Sequence, residues 1–255
     1  MFGRMFGARR QPREAAKTPR VPAGRRIYAI GDIHGRADLL RTLHASIVAD
    51  ASAAPDLEPV VVYLGDYVDR GLDSRAVIDI LLDAPLPGFE VVQLLGNHEA
   101  MMLNVLESGE DAFMWLHNGG NATVYSYGIP VPAGMRSEAE MEAIADRLRE
   151  AVPAAHMTFL HQLRHSHVEG DYLFVHAGVR PGLPLEQQDP GDLIWIRDAF
   201  LDADIDFGKV VVHGHSISGQ VDERANRIGI DTGAYASGCL TCLVLEGEQR
   251  RYLQT

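Results

Sequence analysis

Apolar and polar positions change rhythm along this chain. From about Arg26, short, largely apolar runs alternate with longer stretches in which apolar residues recur every three or four positions. Arg26–Ile30, Pro59–Leu64 and Phe89–Leu95 have strand length and the near-continuous apolar character of strands buried on both faces. A helical pattern follows each: Leu39, Leu40, Leu43 and Ile47 share one face, then come Ser74–Leu82 and Ala100–Leu106. Strand, loop and helix three times over predicts a parallel α/β sheet. Residues 110–166 read mostly as helix, with a turn-rich break at Asn118-Gly119-Gly120-Asn121 and a charged, exposed helix over 136–152. Shorter strand patterns follow at Tyr172–Val175, Leu193–Ile196, Val210–Val212, Arg227–Ile230 and Leu240–Leu245. With no long linker, internal repeat or low-complexity block, one α/β domain over 26–255 with a helical insert around 110–166 is expected.

Composition narrows the class. The 255 residues are 46% hydrophobic and 23% charged, ordinary values for a globular protein with a sizeable core. No apolar run approaches the length of a membrane span, so none is expected. The net charge of −12 is unevenly spread. Residues 1–26 hold eight basic residues against Glu14, a net of +7, which leaves −19 on the rest. A basic, flexible N-terminal tail over 1–25 is expected, and a body so acidic is a poor general partner for nucleic acid. Any positive charge offered to a phosphorylated substrate must then be local. Cys239 and Cys242 form a lone C-x-x-C that reads as buried strand cysteines in a reducing, cytoplasmic setting.

The chemistry gathers where the strands end. Gly31-Asp32-Ile33-His34-Gly35, Gly65-Asp66-Tyr67-Val68-Asp69-Arg70-Gly71 and Gly96-Asn97-His98-Glu99 close the first three strand patterns, and His176-Ala177-Gly178 and His213-Gly214-His215 close later ones. Ligands bind outside the carboxyl ends of strands in open parallel sheets, and glycines there let the backbone come close. One Asp-x-His after a strand is usually a cap or a turn; five such clusters at five strand ends are not accounted for by capping. Asp32, His34, Asp66, Asn97, His176 and His215 offer oxygen and imidazole donors without thiolate, a set for Mn, Fe or Zn. A bridging carboxylate would join two cations, the arrangement of many phosphoesterases.

These blocks resemble the three signature stretches of the phosphoprotein phosphatase family, within the calcineurin-like metallophosphoesterases. His176-Ala177-Gly178 and Gly214-His215-Ser216 are similar to its later metal blocks. Trp115-Leu116-His117-Asn118-Gly119-Gly120, Trp195-Ile196-Arg197-Asp198 and Ile230-Asp231-Thr232-Gly233-Ala234 resemble stretches of the bacterial and bacteriophage lambda type of serine/threonine protein phosphatase. The likeness runs over about residues 26–246. It implies two mixed β-sheets in a sandwich flanked by helices, and two divalent metals, manganese with iron or zinc as alternatives. One would sit on Asp32, His34 and Asp66, the other on Asp66, Asn97, His176 and His215. It implies a metal-bridging hydroxide as nucleophile, His98 as general acid oriented by Asp69, and Arg70 and Arg197 on the phosphoryl oxygens. The implied substrate is a phosphoprotein or another phosphomonoester. A symmetrical dinucleoside tetraphosphatase is the alternative; such enzymes share the early blocks but usually carry Asp where this chain has Glu99. A non-catalytic metal-binding module is the alternative of another class.

Other residues are weaker candidates. Tyr235 follows Asp231-Thr232-Gly233, near where relatives place an active-site aromatic, and Arg180 follows the His176 block; both are candidate substrate contacts. His213 reads as a strand-end histidine. His161 and His165 have helical zinc-site spacing but lack the adjoining glutamate, and with His156 and His167 they read as a solvated helix end. Trp115 and Trp195 read as core.

Overall fold

The computed structural model describes residues 18–83, 86–131, 134 and 137–255. The strands are β1 (Arg25–Ile30), β2 (Glu58–Tyr63), β3 (Glu90–Gln93), β4 (Ser166–Glu169), β5 (Tyr172–Val175), β6 (Val210–His213), β7 (Asp222–Glu223), β8 (Arg227–Gly229), β9 (Thr241–Glu246) and β10 (Gln249–Gln254). They form two five-stranded mixed sheets, ordered β10-β9-β1-β2-β3 and β4-β5-β6-β8-β7. β1, β2 and β3 are parallel in the first sheet, and β5, β6 and β8 in the second.

Period-two alternation explains the layering. Ile27, Ala29, Val60 and Val62 point to the second sheet and pack with Tyr172, Phe174, Val210, Val212 and Ile228. Their neighbours Tyr28, Ile30, Val61 and Tyr63 point the other way, onto helices. Leu40, Leu43 and Ile47 of α1 (Ala37–Ser52) and Val77 and Ile78 of α2 (Ser74–Leu82) cover that face, with Met102 and Val105 of α3 (Asn97–Glu107). The outer face of the second sheet buries Leu173, Val175 and Val211 beneath Leu193, Ile196 and Phe200. The result is the expected two-sheet sandwich flanked by helices.

The insert is a string of helices: α4 (Ala112–Trp115), a π-turn over Leu116–Gly120, α5 (Asn121–Ser126), α6 (Glu138–Ala151) and α7 (Ala154–Gln162). The expected turn-rich break is thus a kink between contiguous helical turns, made possible by Gly119 at φ +115°. Leu193–Ile196, expected as a strand, lies instead in and after α8 (Pro190–Trp195). Asp189 accepts a hydrogen bond from Gly191 N and Pro190 supplies a preset φ, so a good helix start overrides the short apolar run. Two short helices complete the chain, α9 (Asp198–Leu201) and α10 (Ala234–Ser237).

Of the segment expected as a tail, residues 1–17 lie outside the described residues. Residues 18–25 lie against the body: Val21 is buried and donates to Gly247 O at 3.0 Å, and Arg20 N donates to Asp171 Oδ2 at 3.0 Å. Cys242 is buried, Cys239 partly so, and both are free. Among the described residues no helix is long and apolar enough to cross a membrane.

Candidate active site

The two sheets bring their carboxyl ends to one place. Asp32, Asp66 and Asn97 follow β1, β2 and β3; His176, His215 and Asp231 follow β5, β6 and β8. His34 N and Ile33 N both donate to Asp66 O, at 2.8 and 3.0 Å, which locks the first two loops together. The second sheet reaches across: His176 Nδ1 bonds Leu64 O at 3.0 Å, and His215 N donates to both oxygens of Asp32, at 3.2 and 3.1 Å. Close approach depends on missing side chains. A Cβ on Gly214 would lie 2.0 Å from Asp32 Oδ1, and one on Gly96 would lie 2.2 Å from Asp66 Oδ1.

Backbone strain marks the same spot. Among the described residues six non-glycine residues have positive φ, and five of them are His34, Asp66, Asp69, Arg70 and His215. Each such position costs free energy and persists only where its surroundings impose it, which is typical of functional loops.

Asp66 stands between two clusters of donor atoms. Its Oδ2 lies 3.4 Å from His34 Nε2 and its Oδ1 lies 3.3 Å from His176 Nε2. The atoms offered by Asp66, His176 and His215 lie within 4.8 Å of one another, as do those of His34, Asp66 and His98. Asn97 Oδ1 is 3.0 Å from His176 Nε2. His34 Nδ1 bonds Val68 O at 2.8 Å, so Nδ1 carries the proton and Nε2 presents its lone pair. The Nε2 atoms of His34 and His215 are buried with no hydrogen-bond partner. Bare imidazole nitrogens facing a shared carboxylate are what divalent cations would satisfy, so the residues present fit a metal pair.

Electrostatics separates four histidines into two kinds. Burial drives His34 and His215 down to about 3, and lowers His176 too, so these rings are neutral donors. Burial also opposes charge on His98, but Asp66 and Asp69 outweigh it and hold that ring above its ordinary value. His98 Nδ1 lies 2.6 Å from Asp69 Oδ2. Arg70 Nη2 lies 3.3 Å from His98 Nε2, and the guanidinium sits 4.9 Å from the centre of the Tyr235 ring. Tyr235 also meets the His34 ring edge-on, at 5.5 Å. Arg197 is exposed, with its charge felt at His176 and His215.

Arg180 does not join this group, since its guanidinium engages Asp192 side-on with two 2.5 Å contacts. Trp195 is 48% exposed rather than core, with its ring edge toward His215. His156, expected in a solvated helix end, is buried between Tyr127 Oη at 2.8 Å and Asp79 Oδ1 at 2.9 Å. His161 pairs with Glu107 at 3.2 Å, and His213 closes β6 with Nδ1 on Gly214 O at 3.0 Å.

A family model for calcineurin-like phosphoesterases matches residues 25–237. The chain belongs to the calcineurin-like phosphoesterases. It is thus a metallophosphoesterase, a hydrolase of phosphoric esters whose family uses a pair of divalent metals. This phosphoesterase is 28% identical to serine/threonine-protein phosphatase 2 of Salmonella typhimurium over 232 residues, 85% of this chain and 91% of that one. It is also 28% identical to a symmetrical bis(5'-nucleosyl)-tetraphosphatase of Dechloromonas aromatica, over 60% of this chain and 44% of that protein. Its fold is shared with a solved structure described as a putative diadenosine tetraphosphatase, with a TM-score of 0.61 and 20% identity over 93% of this chain and 98% of that one.

Sequence reading of the phosphoesterase missed the insert's part in the site. Asp69 is fully buried and held from four directions. Its N–H reaches Ser74 Oγ at 3.0 Å and Thr123 Oγ1 at 2.8 Å; its carboxylate accepts from Thr123 Oγ1 at 2.6 Å and Trp115 Nε1 at 2.9 Å. Trp115 is core, as expected, but its indole N–H also fixes the carboxylate that faces His98. Trp115→Phe keeps the ring's packing and deletes only that bond. We expect kcat to fall about tenfold with KM nearly unchanged, as for loss of other outer partners of site histidines; steady-state kinetics on an aryl phosphate would check it.

Proposed function

We propose that this phosphoesterase is a serine/threonine protein phosphatase working with two manganese ions. The observation that carries the reading is the His98–Asp69 pair, poised beside the carboxylate of Asp66 that two donor clusters share. Sequence likeness along most of both chains to a bacterial serine/threonine-protein phosphatase supports the substrate class; the sequence likeness to the Dechloromonas aromatica tetraphosphatase spans 44% of that protein, and the shared fold with the putative diadenosine tetraphosphatase fits either substrate. Two cations, held by Asp32, His34 and Asp66 and by Asp66, Asn97, His176 and His215, would supply Lewis acidity and a nucleophile at neutral pH.

The protein's own residues do the rest. Arg70 and Arg197 would grip the phosphoryl oxygens, Arg70 from a strained turn and beneath Tyr235, which limits its swing. His98, charged because two carboxylates favour its proton, would deliver that proton from Nε2 to the departing serine or threonine oxygen. Asp69 would hold Nδ1–H throughout and so fix which nitrogen acts. Asn97 would hold its cation without adding charge, which would keep the site attractive to a dianion.

The test is phosphate release from a phosphothreonine peptide, run beside product analysis on diadenosine tetraphosphate, with manganese present. We expect hydrolysis of the peptide, abolished by chelation and restored by manganese. Cleavage of the dinucleotide alone, yielding ADP, would move the function to nucleotide hydrolysis. Metal binding with no turnover of either would favour a binding module.

A further inference from the structure

We propose that Asp231 is a further carboxylate of the Asp32–His34 metal subsite, directed at the cation position rather than serving only its own turn. This rests on the metal reading above and adds a residue to it. Asp231 follows β8 as Asp32 follows β1, and the two loops are pressed together: a Cβ on Gly31 would lie 2.5 Å from Ile230 O. The neighbouring backbone is fixed, with Ile230 N on His213 O at 2.9 Å and Thr232 Oγ1 on Cys239 O at 2.8 Å.

Asp231 is 2% exposed, and its two oxygens have different fates. Oδ1 accepts from Gly233 N at 2.9 Å, which is all that a turn-forming aspartate requires. Oδ2 is buried with no hydrogen-bond partner. The side chain interacts directly with the carboxylate of Asp32, which also accepts from His215 N at 3.2 and 3.1 Å. Without a metal the two carboxyls can stay together by sharing a proton; once both are ionised they only accept hydrogen bonds, and burial strengthens their repulsion. A turn residue has no need of a second, bare oxygen sealed from water against another carboxylate. A divalent cation held by Asp32 turns the repulsive pair into an attractive one.

The experiment compares the full chain with Asp231→Asn, which keeps shape and the Gly233 N–H bond while removing the charge. Metal-free protein would be titrated with Mn²⁺ by calorimetry and followed by electron paramagnetic resonance. We expect the wild type to bind two ions and give the signal of a coupled pair. Asp231→Asn should bind one ion with unchanged affinity and the second about 10- to 100-fold more weakly, the range seen when partners around a metal site are removed. At one equivalent bound it should give the signal of an isolated ion. The metal-free variant should melt no lower than metal-free wild type, because an amide at 231 can donate to Asp32 where the wild-type pair must share a proton. Two ions bound with wild-type affinity would overturn the role of Asp231, as would a metal-free variant that melts well below wild type, which would mark a structural part. Failure of the wild type itself to bind Mn²⁺ would instead sink the metal reading.

Discussion

His98→Asn is expected to lower kcat on a phosphothreonine peptide by ~10²–10⁴-fold, the usual worth of a positioned general acid. Asparagine can still reach Asp69, so the loop keeps its partner while the proton is lost. The alkoxide leaving from threonine is a strong base and depends on that proton. A nitrophenolate leaves without it, so the same variant should lose far less on nitrophenyl phosphate. Equal losses on both substrates would mean that His98 binds the phosphoryl group rather than donating a proton. The pH profile gives a second check. His98 is held above its ordinary value despite burial, by Asp66 and Asp69, and the charged form is the active acid. Activity should therefore persist through neutrality and fall as pH rises through that elevated value. Asp69→Asn removes one of the two raising carboxylates, so the falling limb should move to lower pH. A limb that stays in place would assign it to another group.

Why some of this was legible in sequence, and some not, follows from the range of the interactions. The three parallel strands read clearly because a strand covered on both faces needs apolar residues at nearly every position, as Val60–Tyr63 shows. The clusters after them read clearly because glycines must flank loops packed as closely as Gly214 on Asp32. Four residues of those clusters, and His215 after β6, sit at positive φ, where local preference is violated for the sake of the site, so chemistry rather than propensity exposed them. The edge strand β10 was missed: Gln249–Gln254 is mostly polar, with only Tyr252 and Leu253 apolar, and it has one partner, so it carries no buried signature. The hold of Trp115 and Thr123 on Asp69 was illegible for another reason. It spans 46 and 54 residues of chain, and nothing in either residue's neighbours announces the carboxylate it will meet. His156 was misread for the same cause, its partners Tyr127 and Asp79 being 29 and 77 residues away.

Glu99→Ala is expected to cost about 4 kcal/mol or more of folding stability, because one carboxylate serves four buried donors and each stranded donor costs ~1–3 kcal/mol. Glu99 is fully buried in the first turn of α3, one residue beyond His98. It accepts from Gly96 N at 3.0 Å, Asp66 N at 2.8 Å, Tyr67 N at 2.7 Å and Val68 N at 3.1 Å. The loop after β2 has few internal bonds of its own, since Asp66, Asp69 and Arg70 are all at positive φ. Glu99 thus acts as the missing strand partner that holds this loop against the next one, fixing the distance from Asp66 to Asn97 and His98. Water entering the cavity of an alanine variant could satisfy some donors but could not hold all four in register. Urea unfolding of the metal-free protein measures the loss directly. The conservative variant separates charge from reach: Glu99→Asp keeps the carboxylate but, one methylene shorter, cannot span from Gly96 to Val68. It should fall between wild type and alanine in stability, with weakened metal binding. A wild-type stability for Glu99→Ala would mean that the loop is held by its own packing, and that the four hydrogen bonds follow the site's geometry instead of setting it.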